Sequence, residues 1–277
     1  MTVKAGQVIG KIFIYAVLAV GAAITILPFV WMILSSLKDS MEVTRMPPTF
    51  FPMVWHFDNY ATALQVAPLG RYFLNTVLVT VVTSLLVVFV SILAAFGFSR
   101  MHFPGRNLLF SILTATLMIP GEMLIITNYV TVANLGWIDT KQALIIPWIA
   151  NVFYIYLLRQ FFLQMPESLY YAAKVDACSD WRYLWKVMVP NNRQAISTIG
   201  ILNAIGTWNA FLWPLIVTNS EENRVLSIGL ISFQTEAGTE YELLMAAASM
   251  LVLPMILLYV ILRRQIINSV TRSGIKG

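Results

Sequence analysis

Charge is scarce in this sequence. Aspartate, glutamate, lysine and arginine make up 11% of its 277 residues, whereas 58% are hydrophobic. A soluble domain is about a quarter charged and under half apolar, so the solvent for most of this chain is lipid. Cysteine is nearly absent as well. The single Cys178 excludes an internal disulfide and argues against a cysteine-based metal site. The two histidines, His56 and His102, fall on opposite sides of the membrane in the topology below, and no Ser–His or paired-carboxylate arrangement is visible. A phosphate-cradling G-x-x-x-x-G-K-[ST] loop is also missing. Gly6 and Gly10-Lys11 have the wrong spacing and lead into an apolar run. These absences argue against a membrane-embedded enzyme and against nucleotide bound on this chain; no catalytic residue and no metal site are expected.

What is present is apolar length. Crossing the hydrocarbon core takes roughly 20 helical residues. Runs that meet this lie at 12–37, 72–99, 107–130, 142–162, 194–220 and 243–262, interrupted only by Glu122 and Arg159. The expectation is an all-α integral membrane protein with six transmembrane helices, forming one domain over residues 1–277. The first run is too long for a signal core and lacks a small-residue cleavage site, so it is expected to be a span.

Lysine and arginine orient the chain. With both termini cytoplasmic, thirteen of the eighteen basic residues fall inside, among them Lys11, Arg100, Arg106, Lys174, Arg182, Arg193 and Arg263. Lys38, Arg45, Arg71, Lys141 and Arg224 fall outside. The net charge of +5 is thereby explained by the membrane, without a nucleic-acid partner. The long outer loop from Lys38 to Arg71 holds Pro47, Pro48, Pro52 and Pro68 and reads as irregular or briefly helical.

The other long connection, Gln164 to Arg193, is cytoplasmic. Pro166-Glu167 suits a helix start, and Ser179 with Asp180 caps a second helix that Pro190 ends. Trp181, Leu184, Trp185 and Met188 form its apolar face, with Arg182 and Lys186 elsewhere. From the residues alone, a lipid-facing interfacial helix and a partner-binding helix are both open.

The stretch MPESLYYAAKVDACSDWRYLWKVMVP (165–190) resembles the cytoplasmic loop of binding-protein-dependent ABC importer permeases, a pattern of E-A-A, two residues, D-G-A and a distal proline. Ala172, Ala173, Asp176, Cys178 and Pro190 stand in register. DNYATAL, YFLNTVLVT, FSRMHFPGR, IPGEM, LLRQFF, WNAFLWPL and the terminal GIKG extend the resemblance, in order, to the maltose-type carbohydrate permeases. Tyr171 replaces the usual Glu and Ala177 the usual Gly. Losing that glycine removes the residue best able to take a positive φ, so the turn is expected to shift by a residue.

The resemblance implies a permease subunit forming half of a carbohydrate pathway in a bacterial or archaeal cytoplasmic membrane. It implies a coupling helix between helices 4 and 5, made by Glu167, Leu169, Tyr170, Ala172, Ala173, Lys174, Asp176, Ala177 and Cys178. The implied partners are two ATPase subunits that hold ATP and Mg, a second permease and an extracytoplasmic solute-binding protein. Small Ala172 and Ala173 allow close approach, Tyr170 or Tyr171 fills an apolar pocket, and Asp176 fixes local geometry. Ser273, Gly274, Ile275 and Lys276 are tail candidates for ATPase contact, or a frayed end. A polyol or glycerol-phosphate cargo and a transporter not driven by ATP are the alternatives.

Polar groups inside a span face protein or a water-filled cavity. Asn151, Asn203, Trp208, Asn209 and Trp213 are therefore pathway candidates. The asparagines equally suit interhelical hydrogen bonds, and Trp213 the interfacial belt. Glu122 is the one ionisable candidate for proton coupling. Pro120, Pro147, Pro214 and Pro254 are candidate kinks.

Overall fold

The computed structural model describes residues 2–235 and 238–273. In chain order its helices are α1 (Thr2–Ser35), α2 (Ser40–Thr44), α3 (Asp58–Val66), α4 (Leu69–Arg100), α5 (Arg106–Ala115), α6 (Ile125–Asn134), α7 (Lys141–Ile145) and α8 (Val152–Leu163). They continue as α9 (Glu167–Val175), α10 (Asp180–Tyr183), α11 (Val189–Asn191), α12 (Arg193–Trp208), α13 (Leu212–Val217), α14 (Leu226–Gly229) and α15 (Tyr241–Ser273). A two-residue antiparallel ribbon, β1 (Gln234–Thr235) with β2 (Gly238–Thr239), interrupts an otherwise helical chain. Two compact units are distinguishable, residues 1–70 with 229–254 and residues 71–228 with 255–277.

In the first unit, α1 carries a 26-residue apolar stretch, Gly10–Ser35. At 1.5 Å per residue this is about 39 Å, enough to cross. Its apolar side chains are exposed on all faces (Ile12, Phe13, Tyr15 and Leu18 among them), as lipid contact requires. The loop that follows is pinned despite its prolines. Asn59 Nδ2 donates to the carbonyls of Ser36 (2.9 Å) and Lys38 (2.8 Å), closing the end of the first helical run. Buried Glu42 accepts from Thr49 Oγ1 at 2.6 Å and from the Met53 amide at 3.1 Å. Lys38, equally buried, donates to the Thr49 carbonyl and sits 4.8 Å from the Trp31 ring.

In the second unit, α4 is a 32-residue helix long and apolar enough to cross. Its packed face is small and polar: Thr76, Thr80, Thr83, Val87, Ser91 and Ala95 are all buried. Such residues let membrane helices approach closely.

Three of the other expected spans are broken, and proline explains where; the run 243–262 stays within α15, which continues through Pro254. Proline has no N–H and its ring clashes with the carbonyl four residues back. Pro120 splits the run 107–130, so that Arg106–Met118 and Gly121–Asn134 meet at 95°. Ile119, just before it, is extended, as a pre-proline residue should be. Pro147 lies in a 3₁₀ turn, Ile146–Trp148, and the run 142–162 bends by 42° between Lys141–Trp148 and Val152–Leu163. Pro214 excludes Ala210 from a continuous helix, and the run 194–220 becomes α12 and α13 with a break at 209–211. These three are therefore not single straight helices.

Pro190 does not end its helix. A π turn, Leu184–Met188, precedes it, and the helix runs on to Asn191. The wider turn removes the clash that would stop an α-helix. The buried face of this helix is Tyr183, Leu184 and Met188, with Trp185 half-buried; Trp181 points outward, contrary to the simple periodicity. Together with Ile92, Phe96, Leu158, Phe162 and Ile199 these residues form a core. Gly274, Ile275 and Lys276, the tail candidates, lie outside the described residues, and Ser273 ends α15.

Candidate functional site

The cytoplasmic loop forms an elbow of α9 and α10. Pro166 precedes α9, Glu167 occupies its first turn and Lys174 its last, each charge placed to suit the helix dipole. At its far end the Cys178 amide donates to the Ala173 carbonyl (2.8 Å) and the Ala177 amide to the Lys174 carbonyl (3.0 Å). This is a Schellman cap, and it requires a left-handed residue. Ala177 supplies it at φ 53°, so the turn does not shift to accommodate the missing glycine. Ser179 then caps α10, accepting from the Arg182 amide at 3.3 Å.

A polar triangle holds the two arms. The Tyr170 hydroxyl donates to Asp180 Oδ1 at 2.6 Å, and Lys174 Nζ lies 2.9 Å from the same oxygen. The hydrogen bond from Lys174, then that from Tyr170, holds the Asp180 carboxyl below its ordinary range. The bond to Asp180 raises Lys174, and burial followed by the Asp180 hydrogen bond raises Tyr170. Tyr170 also packs edge-on against Tyr183, ring centroids 5.1 Å apart.

The expected coupling residues therefore divide. Tyr170, Ala173 and Cys178 pack inward against the core of their own unit. Glu167, Leu169, Ala172, Lys174, Asp176 and Ala177 are exposed, and so is Val175, at 87%, which was not among the expected residues. Tyr171, not Tyr170, is the exposed tyrosine. Asp176 makes no side-chain hydrogen bond among the described residues; the cap and Asp180 fix the geometry instead.

Two arginines join α4 to α8 just ahead of this elbow. Arg100, at the end of α4 and buried, donates to the carbonyls of Phe162 (2.7 Å) and Met165 (2.6 Å), where α8 ends. Arg159, on α8, donates back to the Phe98 carbonyl of α4 at 3.0 Å and lies 4.0 Å from the Phe110 ring. Each helix end thus holds a basic side chain from the other.

The second site is a cavity of about 440 Å³ in the same unit. All three broken runs border it. Gly121 and Glu122 come from the first break, Trp148 and Asn151 from the second, Ala210 and Phe211 from the third, with Thr76, Val79 and Thr83 from α4. Breaks free backbone groups, which membrane proteins tolerate where the backbone is covered by protein or lines a cavity. Here two are satisfied by side chains. Trp213 Nε1 donates to the Ala143 carbonyl at 2.9 Å, the group freed by Pro147. Ser227 Oγ donates to the Ala210 carbonyl at 2.7 Å, the group freed by Pro214.

Of the pathway candidates, Asn151, Asn203 and Trp213 line this cavity, and Trp208 and Asn209 do not. Asn151 caps α8 through the Tyr154 amide (3.3 Å). Asn203 accepts from Ser84 on α4 at 3.0 Å, the interhelical bond anticipated for it. Trp208 is buried against Phe73, centroids 5.8 Å apart, and Asn209 bonds the Ile205 carbonyl at 2.9 Å. Trp148, which the sequence did not single out although it adjoins Pro147 in a span, also borders the cavity. The Trp148 and Trp213 rings meet at 82° with centroids 5.6 Å apart.

Long apolar helices, a cavity built from their breaks and an exposed elbow define the class: a multi-pass membrane permease. The chain belongs to the binding-protein-dependent transport system inner membrane components, whose family model matches residues 87–272. It is thus a transporter subunit of a binding-protein-dependent importer, not a catalytic subunit. It is 32% identical over 263 residues to the diacetylchitobiose uptake system permease protein NgcG of Streptomyces coelicolor, covering 94% of this chain and 87% of that one. It is 30% identical to the arabinooligosaccharides transport system permease protein AraQ of Bacillus subtilis, covering 90% of each. A crystal structure of a bacterial ABC transporter that imports the acidic polysaccharide alginate contains a chain with the same fold, with a TM-score of 0.82 and 24% identity over 92% of this chain and 96% of that one.

Proposed function

We propose that this chain is one permease half of an ATP-driven carbohydrate importer, with the cavity as part of the solute's path and α9 as the coupling helix. The observation that carries this reading is the convergence of three helix breaks on one cavity bordered by α4 and α8, helices that Arg100 and Arg159 tie together and against which the exposed elbow packs. The names of the two relatives, both oligosaccharide permeases, support the carbohydrate cargo.

In this reading the chain is a single permease domain that crosses a bacterial or archaeal cytoplasmic membrane six times, with both termini inside. Leu169, Tyr171, Ala172 and Val175 enter a cleft of an ATPase subunit. ATP and Mg are held by a pair of such subunits, a second permease completes the pathway, and an external solute-binding protein delivers the sugar. Ser273, Gly274, Ile275 and Lys276 make a secondary ATPase contact.

Co-purification of the tagged chain with its ATPase tests the coupling assignment. Ala172→Glu, on the exposed face, is expected to release the ATPase while the chain stays membrane-inserted. Retention of the ATPase and of full transport in Ala172→Glu would remove α9 from the interface. Ala173→Glu is a poorer probe, because Ala173 packs inward and its loss disturbs the elbow itself.

A further inference from the structure

The same fold occurs in an importer of an acidic polysaccharide and in relatives named for oligosaccharides. The walls of the cavity bear on the solute's charge. We propose that the cavity admits a neutral, polyhydroxylated solute and turns away anionic ones, with Trp148 as the surface against which a sugar ring lies and Glu122 as the charge filter. This rests on reading the cavity as part of the solute's path.

The volume, about 440 Å³, lies within the roughly 300–1,000 Å³ range of small-molecule sites. Trp148 is 38% exposed and borders the cavity, with its indole set nearly perpendicular to that of Trp213. Trp213 is itself fixed by its bond to Ala143, so Trp148 rests on an immobile neighbour. A preorganised aromatic surface suits the C–H face of a sugar and offers nothing specific to an anion.

The polar groups are neutral hydrogen-bonding ones. Asn203 Oδ1 already accepts from Ser84 at 3.0 Å and from Thr207 at 3.5 Å, which leaves its amide as a donor, shared between the Tyr154 hydroxyl and the cavity. The Thr83 hydroxyl is buried in the wall without a partner. Such groups exchange hydrogen bonds with hydroxyls. An anionic solute needs a fixed positive group in a low-dielectric site, and among the described residues no lysine or arginine lines the cavity. Arg71 and Lys141, in the same unit, are already engaged with Glu222: Arg71 by an ion pair at 3.3 Å, Lys141 through the Glu222 carbonyl at 2.9 Å. Among the described residues the one acidic or basic residue lining the cavity is Glu122, whose carboxylate attracts cations and repels anions.

The test uses the assembled importer in proteoliposomes. Asn151→Cys places a thiol in the wall, and its reaction with cationic and anionic methanethiosulfonates is compared after subtracting labelling of the parent and correcting for intrinsic reactivity. The cationic reagent is expected to react about tenfold faster, an enrichment typical of a singly signed cleft. Adding Glu122→Gln is expected to bring the two rates within about threefold of each other. A pool of neutral di- to tetrasaccharides should slow labelling and a matched pool of oligouronates should not, and Trp148→Ala should abolish the protection where Trp148→Phe keeps it. Equal rates with Glu122 present, or protection by the uronates as strong as by the neutral sugars, overturns the proposal. Should Asn151→Cys misfold, Thr207→Cys serves in its place. Labelling that no sugar slows, in a complex that still imports sugar, instead overturns the assignment of the cavity to the path.

Discussion

The indole N–H of Trp213 donates to the Ala143 carbonyl at 2.9 Å, across 70 residues of sequence, and Ala143 is the residue whose helical partner would have been the absent N–H of Pro147. A tryptophan on one broken run therefore stabilises the break in another. The pair accounts for how a bend of 42° is kept in a region where a bare carbonyl is costly.

Trp213→Phe should accordingly cost about 1–3 kcal/mol, the penalty for an unsatisfied buried acceptor, while keeping most of the ring's packing. Thermal unfolding of the detergent-purified complex measures this. An unchanged midpoint would mean that the Ala143 carbonyl finds another donor.

Ala177 carries the opposite signature, a strained residue at a required position. A left-handed non-glycine residue costs roughly 1–2 kcal/mol, and glycine loses part of that advantage through its more flexible unfolded chain. Ala177→Gly should therefore raise the stability of the elbow by up to about 1 kcal/mol, read as slower amide exchange over residues 167–180. Faster exchange would mean that Ala177 makes a contact worth more than the strain.

The polar triangle sets a pH window. The Asp180 carboxyl is depressed, so its contribution is present above the ordinary carboxylate pKa, about 3.9, and is lost as pH falls through the lowered value. Lys174 is raised, so its contribution is full below the ordinary lysine pKa, about 10.4, and is lost as pH rises through the higher value. Exchange in the elbow should be unaffected by this pair between about pH 6 and 9, beyond the intrinsic pH effect. Asp180→Asn should loosen the elbow at neutral pH and remove the acid step; added salt should weaken the wild-type effect, since both side chains are 40% exposed. A variant indistinguishable from wild type at neutral pH would dismiss the triangle as a restraint.

Gly206 borders the cavity, and a Cβ there meets nothing within 4 Å. Gly206→Leu should fold and assemble normally, with a gain of up to about 1 kcal/mol from helix propensity, and should lower uptake at least about tenfold by filling a site of small-molecule size. Undiminished uptake in a well-assembled variant would place the solute elsewhere.

Much of this was legible in the sequence. The runs of α1 and α4 are uniformly apolar, and both form long helices there. The elbow was signalled by Pro166-Glu167 and by Ser179-Asp180, residue types that act locally through caps and dipoles. The broken spans were harder to read. Hydropathy counts apolar residues and does not register that Pro214 excludes the Ala210 carbonyl, so the run 194–220 looked continuous. Trp213 was placed in a sugar path or an interfacial belt because its acceptor lies on a distant segment. The same remoteness hid the inward packing of Ala173 and the partnership of Tyr170 with Asp180, both of which depend on how two arms close. For Glu122 the residue was noticed, but its neighbours, and hence its chemistry, were visible only once three breaks met.

The elbow has one face packed on its own chain and one exposed, and in the proposed coupling role this divides the genetics of the loop. Defects at Ala173, Tyr170 or Cys178 arise within this polypeptide, so second-site suppressors of them should map to this gene, among residues such as Tyr183 and Phe162. Ala172 and Val175 are exposed, so if α9 is the coupling helix proposed above, suppressors of defects there should map to the gene for the proposed ATPase, and they should be allele-specific.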